Sequence, residues 1–139
     1  MLSPKKTKYK KRQKGKNYNR VSSVVLLNAN LRYGCLGLKA LTAGCLTSKQ
    51  LISIKQCISK ISKKFGRLKF HIFPHLPVTR KPIEVRMGKG KGAVYFWVSK
   101  LQVGTLICEL QISNFFIGLK ALRAAQFRLP IKTKIIIKK

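Results

Sequence analysis

Apolar and polar positions change period several times along the chain, and each change marks a predicted element. Over residues 47–65 the apolar positions Leu51, Ile54, Ile58, Ile61 and Phe65 recur at helical spacing, and Thr47 with Gln50 makes a capping box at the start. Gly66 is a natural C-terminal stop. Lys49, Lys60, Lys63 and Lys64 fall on the opposite face, which is either solvated or turned toward phosphate. Residues 21–27, 33–41, 68–73, 93–101 and 105–112 read as strands, the strongest being AVYFWVSKL over 93–101, with a turn at Val103-Gly104 before the last. Pro74, Pro77 and Pro82 predict an irregular loop containing Thr79, Arg80 and Lys81. Ser113 is placed to cap a final helix reaching about residue 129, with Phe116, Leu119, Leu122 and Phe127 among its apolar positions. Pro130 ends that helix, and residues 131–137 read as a closing strand. Strand-rich with two helices and no internal repeat, the order predicts an α+β sandwich.

One segment has no apolar period at all. Residues 3–20 read SPKKTKYKKRQKGKNYNR, in which Lys5, Lys6, Lys8, Lys10, Lys11, Arg12, Lys14, Lys16 and Arg20 are basic. Such a segment has nothing to bury and is expected to form an extended arm. Fully extended, residues 1–20 would reach roughly 65 Å, far enough to thread into a folded polyanion. Tyr9 and Tyr18 add faces on which unpaired bases stack. A solvated tail or a transit peptide is the plainer reading, but transit peptides are rich in arginine and serine, whereas lysine dominates here. The expected organisation is an arm over 1–20 and one domain over 21–139.

Charge turns this picture into a statement about partners. The chain has 139 residues, 31 lysines and arginines, and two acidic residues, Glu84 and Glu109, for a formal charge of +29. At 45% hydrophobic residues it is too apolar to be a disordered basic tail throughout, so a core is expected. With so few carboxylates, the neutralising charge has to come from outside. Nucleic-acid phosphate is the first candidate and an anionic membrane surface the second. No run of about 18 apolar residues is present, so membrane insertion is not expected. Lysine outnumbers arginine, and isoleucine, phenylalanine and asparagine are plentiful. That bias fits an AT-rich genome and an organellar, mitochondrial setting, with a plastid or the bacterial cytoplasm as the other settings.

Candidate chemistry is sparse. Cys35, Cys45, Cys57 and Cys108 form no C-x-x-C pair and read as reduced core residues. His71-x-x-x-His75 alone suggests a metal, without cysteines nearby to complete a site, so no metal is expected. Glu84 and Glu109 are far apart, no Ser-His-Asp or Cys-His set can be assembled, and neither catalysis nor a cofactor is expected. The informative segment is Arg86-Met87-Gly88-Lys89-Gly90-Lys91-Gly92, between two strands. Three alternate glycines let the backbone approach a ligand closely, and Arg86, Lys89 and Lys91 bring cations to it. Neither phosphate-loop pattern, G-x-x-x-x-G-K-[ST] or G-x-G-x-x-G, is present, and no helix follows. A flexible cationic finger for a phosphate backbone is the reading that remains.

The block RMGKGKG followed by Tyr95-Phe96-Trp97 resembles the signature of the L-sixteen family of bacterial-type large-subunit ribosomal proteins. Further blocks match in family order: MLSPKKTKYKK with Gly15 at the start, LTSKQ over 46–50, PVTRKP over 77–82 and LPIKTK over 129–134. The chain departs from the family at Lys69 and His71, and it lacks acidic residues that members often carry in the last helix. The resemblance implies an α/β-hammerhead-like fold seated in large-subunit rRNA and serving assembly and translation. The arm would enter rRNA, while Arg80, Lys81 and the finger residues Arg86, Met87, Gly88, Lys89, Gly90, Lys91 and Gly92 would face the tRNA-binding cleft near the peptidyl transferase centre. Its implied partners are rRNA, tRNA and neighbouring ribosomal proteins rather than further copies of itself. A generic nucleic-acid or membrane-surface binder is the other reading.

Overall fold

The computed structural model describes residues 2–13, 30–63 and 65–138. The strand predicted over 21–27 lies outside these residues, as do Lys14, Lys16, Tyr18 and Arg20 of the basic segment and Lys64 of the helix. Among the described residues the strands are β1 (Leu36–Ala40), β2 (Gly44–Thr47), β3 (Arg67–Phe70), β4 (Leu76–Arg80), β5 (Ala93–Leu101), β6 (Leu106–Gln111) and β7 (Thr133–Ile137), with helices α1 (Ser48–Ile61) and α2 (Phe115–Gln126). They form two antiparallel sheets, ordered β3-β6-β1-β7 and β2-β5-β4. The expected α+β class is what the chain adopts. No helix among the described residues is long and apolar enough to cross a membrane.

Helix α1 is the most locally determined element. The Thr47 hydroxyl accepts from Gln50 N at 3.3 Å while Gln50 Oε1 accepts from Thr47 N at 2.8 Å, so the capping box forms as read. Leu51, Ile54, Cys57 and Ile58 turn inward, and each buried aliphatic side chain contributes about 1.5–3 kcal/mol. The helix ends earlier than Gly66. Ser62 is the C-terminal cap and Lys63 follows with φ +47°, taking the left-handed position that glycine usually fills. Phe65 therefore leaves the apolar stripe and stands 82% exposed.

Helix α2 starts one residue later than predicted, because Asn114 rather than Ser113 caps it, its Oδ1 accepting from Phe116 N and Ile117 N at 3.1 and 3.3 Å. Its buried face is Gly118, Ala121, Leu122 and Ala125. Phe116 and Phe127, expected inside, are exposed, Phe127 by 91%. Small residues on the inner face let α2 sit close to the sheet. A Cβ at Gly118 would lie 2.6 Å from Leu36 Cδ1 and 2.7 Å from Ile112 Cγ2. The core joins both helices to β1, β5 and β6 through Leu36, Leu38, Ile54, Leu101, Ile107 and Leu122.

Two further expectations change. The loop predicted after Pro74 is largely strand β4, whose Pro77 lies opposite Trp97. β4 is an edge strand, the place in a sheet where a residue without an N–H is tolerated. Of the four cysteines, Cys57 and Cys108 are buried, Cys35 is half-buried, and Cys45 is exposed because the β2 alternation turns its neighbour Leu46 inward instead. Burial pushes the Cys108 thiol up to about 12.

Strand β1 begins at Leu36 rather than at 33 because the preceding backbone has another partner. Glu109, buried in β6, accepts from Arg32 N at 3.1 Å, Tyr33 N at 2.6 Å and Gly34 N at 2.8 Å, and its Oε1 lies 2.9 Å from His71 Nε2. Burial alone would push this carboxyl up, yet the three amide donors and the His71 charge outweigh it and hold Glu109 below the usual carboxylate range. Tyr33 stacks near His71 at 6.3 Å, and Lys69 Nζ stands 3.1 Å from the Tyr33 ring centroid. His71 is thus a structural partner of Glu109.

Candidate nucleic-acid interface

The finger leaves β4 at Arg80 and returns to β5 at Ala93. At its tip Gly88, Lys89 and Gly90 take φ values of +98°, +49° and +86° in succession. Nothing lies within 4 Å of a Cβ built on either glycine, so the left-handed backbone, not crowding, is what calls for glycine here. Lys89 shares that region with a side chain, an uncommon state for a non-glycine residue. Lys81 Nζ donates to Gly88 O and folds the tip back toward its own base.

Gly92 has a different reason. A Cβ there would come within 2.6 Å of Arg80 O, a backbone atom of the strand leading into the finger. Gly92→Ala is expected to splay β4 from β5 at the finger root and to cost about 1–3 kcal/mol, read as a fall of several degrees in the thermal midpoint. Gly90→Ala should lower that midpoint less, since nothing lies within 4 Å of the added Cβ and the solvated tip is free to relax its backbone. Equal midpoints for the two variants would contradict this assignment.

Residues 86–91 are all exposed, and Met87 is 98% so. Two apolar residues that were not among the expected contacts, Ile83 and Val85, are exposed beside them. The alternation Ile83-Glu84-Val85-Arg86-Met87 was the available signal, but without a partner strand it buries neither face. Arg80 lies 5.7 Å from the ring centroid of Tyr95, which is also exposed. Glu84 is the one carboxylate in this loop, against the cations of Lys81, Arg86, Lys89 and Lys91.

Residues 2–13 contain neither helix nor strand. Leu2 packs against the core, and residues 5–13 are exposed, carrying Lys5, Lys6, Lys8, Lys10, Lys11 and Arg12 outward. The segment meets the finger through reciprocal bonds: Lys11 Nζ donates to Lys91 O at 2.7 Å, and Lys91 Nζ donates to Arg12 O. Neither contact is visible in the sequence, where the partners stand about eighty residues apart. Two stretches rich in like charge are thus held side by side.

Under the junction runs a cleft of about 570 Å³. Leu76, Pro77, Val78 and Val98 line it with apolar surface, while Arg12, Lys91 and Lys100 contribute cations. His75, Thr79 and Gln13 add polar groups. His75 Nδ1 donates to Phe73 O at 3.0 Å, which leaves Nε2 as the second polar atom of the ring. Of these lining residues only Arg12 and Lys91 were among the expected contacts.

A small α+β domain whose basic residues 5–12 lie against a cationic loop, with two acidic residues in the whole chain, has the charge balance of the class of basic, polyanion-binding proteins. The family model described as Ribosomal protein L16p/L10e matches residues 4–136. The chain is 44% identical over 138 residues to the large ribosomal subunit protein uL16 of Karelsulcia muelleri (strain GWSS), covering 99% of this chain and 98% of that protein. It is 43% identical over 136 residues to the uL16 protein of Acidiphilium cryptum (strain JF-5), covering 98% and 96%. The chain belongs to the L16p/L10e ribosomal protein family.

Proposed function

We propose that the protein is a structural component of the large ribosomal subunit that binds rRNA through its arm and finger and has no chemistry of its own. The observation that carries this reading is the reciprocal Lys11–Lys91 and Lys91–Arg12 contact, which concentrates like charge on one surface. Such a surface is costly for a free protein and favourable against phosphate. Family membership supplies the ribosomal setting, and rRNA binding follows from it. On this reading residues 1–20 form the arm, including Lys14, Lys16 and Arg20, and residues 21–139 form a hammerhead-like domain. Arg80, Lys81 and residues 86–92 reach beyond rRNA toward tRNA in the cleft near the peptidyl transferase centre. The exposure of the tip and the open space around Gly88 and Gly90 support that placement. A mitochondrial large subunit is the proposed location, on the lysine-rich, isoleucine-rich composition.

The test is the salt dependence of binding to large-subunit RNA. If about ten phosphates are engaged, log K should fall against log salt with a slope near −7 to −9, at about 0.7–0.9 per contact. A slope shallower than about −3 would rule against phosphate neutralisation as the mechanism. Flotation with anionic liposomes, without retention on large subunits after a high-salt wash, would favour a membrane surface instead.

A further inference from the structure

We infer that the cleft between the basic arm and strand β4 holds one unpaired nucleotide of a single-stranded RNA segment, with the base on the apolar wall and its phosphates on the cationic rim. The inference rests on the RNA reading above and goes beyond it, because phosphate contacts alone need no cleft. Surface lysines neutralise a backbone equally well on a flat face. Here the arm instead closes over β4, and Lys91 takes part twice: it joins arm to finger through its amine and its carbonyl, and it lines the cleft.

The lining matches a nucleotide in each of its parts. Leu76, Pro77, Val78 and Val98 offer an apolar wall to a flat base, which a duplex RNA would keep inside its stack. Arg12, Lys91 and Lys100 supply positive charge for the phosphates on either side. Thr79 and the His75 ring provide polar groups that can meet a base edge. A volume of about 570 Å³ lies within the range of roughly 300–1,000 Å³ common to small-molecule sites, enough for one nucleotide and too little for a paired stem. Pro77 removes a backbone donor from the edge strand, so the wall beside it is free of one group that would hold water against the base.

Two probes of equal charge test this: a single-stranded 12-nucleotide RNA and the same ribose-phosphate chain without bases. The full chain should bind the RNA about tenfold more tightly than the abasic chain. Thr79→Phe, which fills the cleft and changes no charge, should bring the two affinities within twofold while leaving abasic binding and both salt slopes unaltered. A tenfold preference that survives in Thr79→Phe, or no preference in the natural chain, overturns the cleft assignment. If the preference is absent while the slopes stay steep, RNA binding by the arm and finger stands and only the cleft is lost. Slopes shallower than about −3 for both probes would remove the RNA reading and the cleft together. Uridine monophosphate displacing the 12-mer at comparable concentration would make this a free-nucleotide site and also overturn the assignment. Should Thr79→Phe fail to fold, photo-crosslinking of the natural chain to a 4-thiouridine 12-mer decides: adducts within residues 75–79 support the cleft, and adducts confined elsewhere overturn it.

Discussion

Glu109→Leu is expected to destabilise the domain by about 3–5 kcal/mol, the largest effect of any single substitution outside the apolar core. Its carboxylate accepts from the backbone amides of Arg32, Tyr33 and Gly34 and lies beside His71. Leucine fills similar volume but leaves those amides without an acceptor and His71 Nε2 without its carboxylate partner. The loss should appear as a lower urea midpoint with an unchanged slope. Glu109→Gln should lose less, since its one carbonyl oxygen still accepts while its amide group faces donors it cannot satisfy. The same site predicts an acid response. Glu109 is held below its ordinary carboxyl value of 4.5, so its contribution is fully present above that value and disappears as the pH falls through the lower folded value. With only one other carboxylate side chain, Glu84, and that one exposed, acid destabilisation below about pH 4.5 should report mainly on Glu109. The glutamine variant should be nearly flat across the same window. A midpoint for Glu109→Leu within 0.5 kcal/mol of the natural chain, or acid sensitivity retained in Glu109→Gln, would contradict this role.

What could be read from the sequence follows the range of the interactions. The capping box at Thr47 and Gln50, the inward face of Leu51, Ile54 and Ile58, and the nine residues of β5 depend on neighbours within a turn or a strand, and they were legible. The errors fall where a distant group decides. Tyr33 and Gly34 lie in a stretch of strand-like composition, but their amides go to a carboxylate some seventy-five residues away, so β1 starts late. Phe116 and Phe127 have the hydrophobicity of core residues, yet α2 approaches the sheet through Gly118, Ala121 and Ala125, and large rings do not fit there. The finger was legible because alternate glycines and lysines are a local pattern. Its contact with the arm, and the cleft that the contact closes, depend on Lys91 meeting Lys11 and Arg12 across the fold. No local period reports such a meeting.

The two lysines of the finger should separate by role when each is removed. Both are exposed, and neither belongs to the core, so Lys89→Ala with Lys91→Ala should leave the thermal midpoint within about a degree. On the proposed reading each lysine meets one phosphate, so the pair's loss should make the salt slope shallower by about 1.4–1.8 and lower rRNA affinity roughly twentyfold at 0.15 M salt. Lys91 differs from Lys89 in that its Nζ also holds Arg12 O. Lys91→Ala alone should therefore lose more affinity than Lys89→Ala alone, because it also loosens the arm and the cations that the arm brings to the junction. In cells the double variant should accumulate immature large subunits or slow translation, visible in sucrose-gradient profiles. Unchanged profiles and growth would sink the functional assignment of the finger. Equal losses from the two single variants would leave the finger in place but show that its contact with the arm carries no binding energy. That distinction matters because a tip presenting cations on a left-handed backbone can act alone, whereas a junction of arm and finger acts only if both halves stay together.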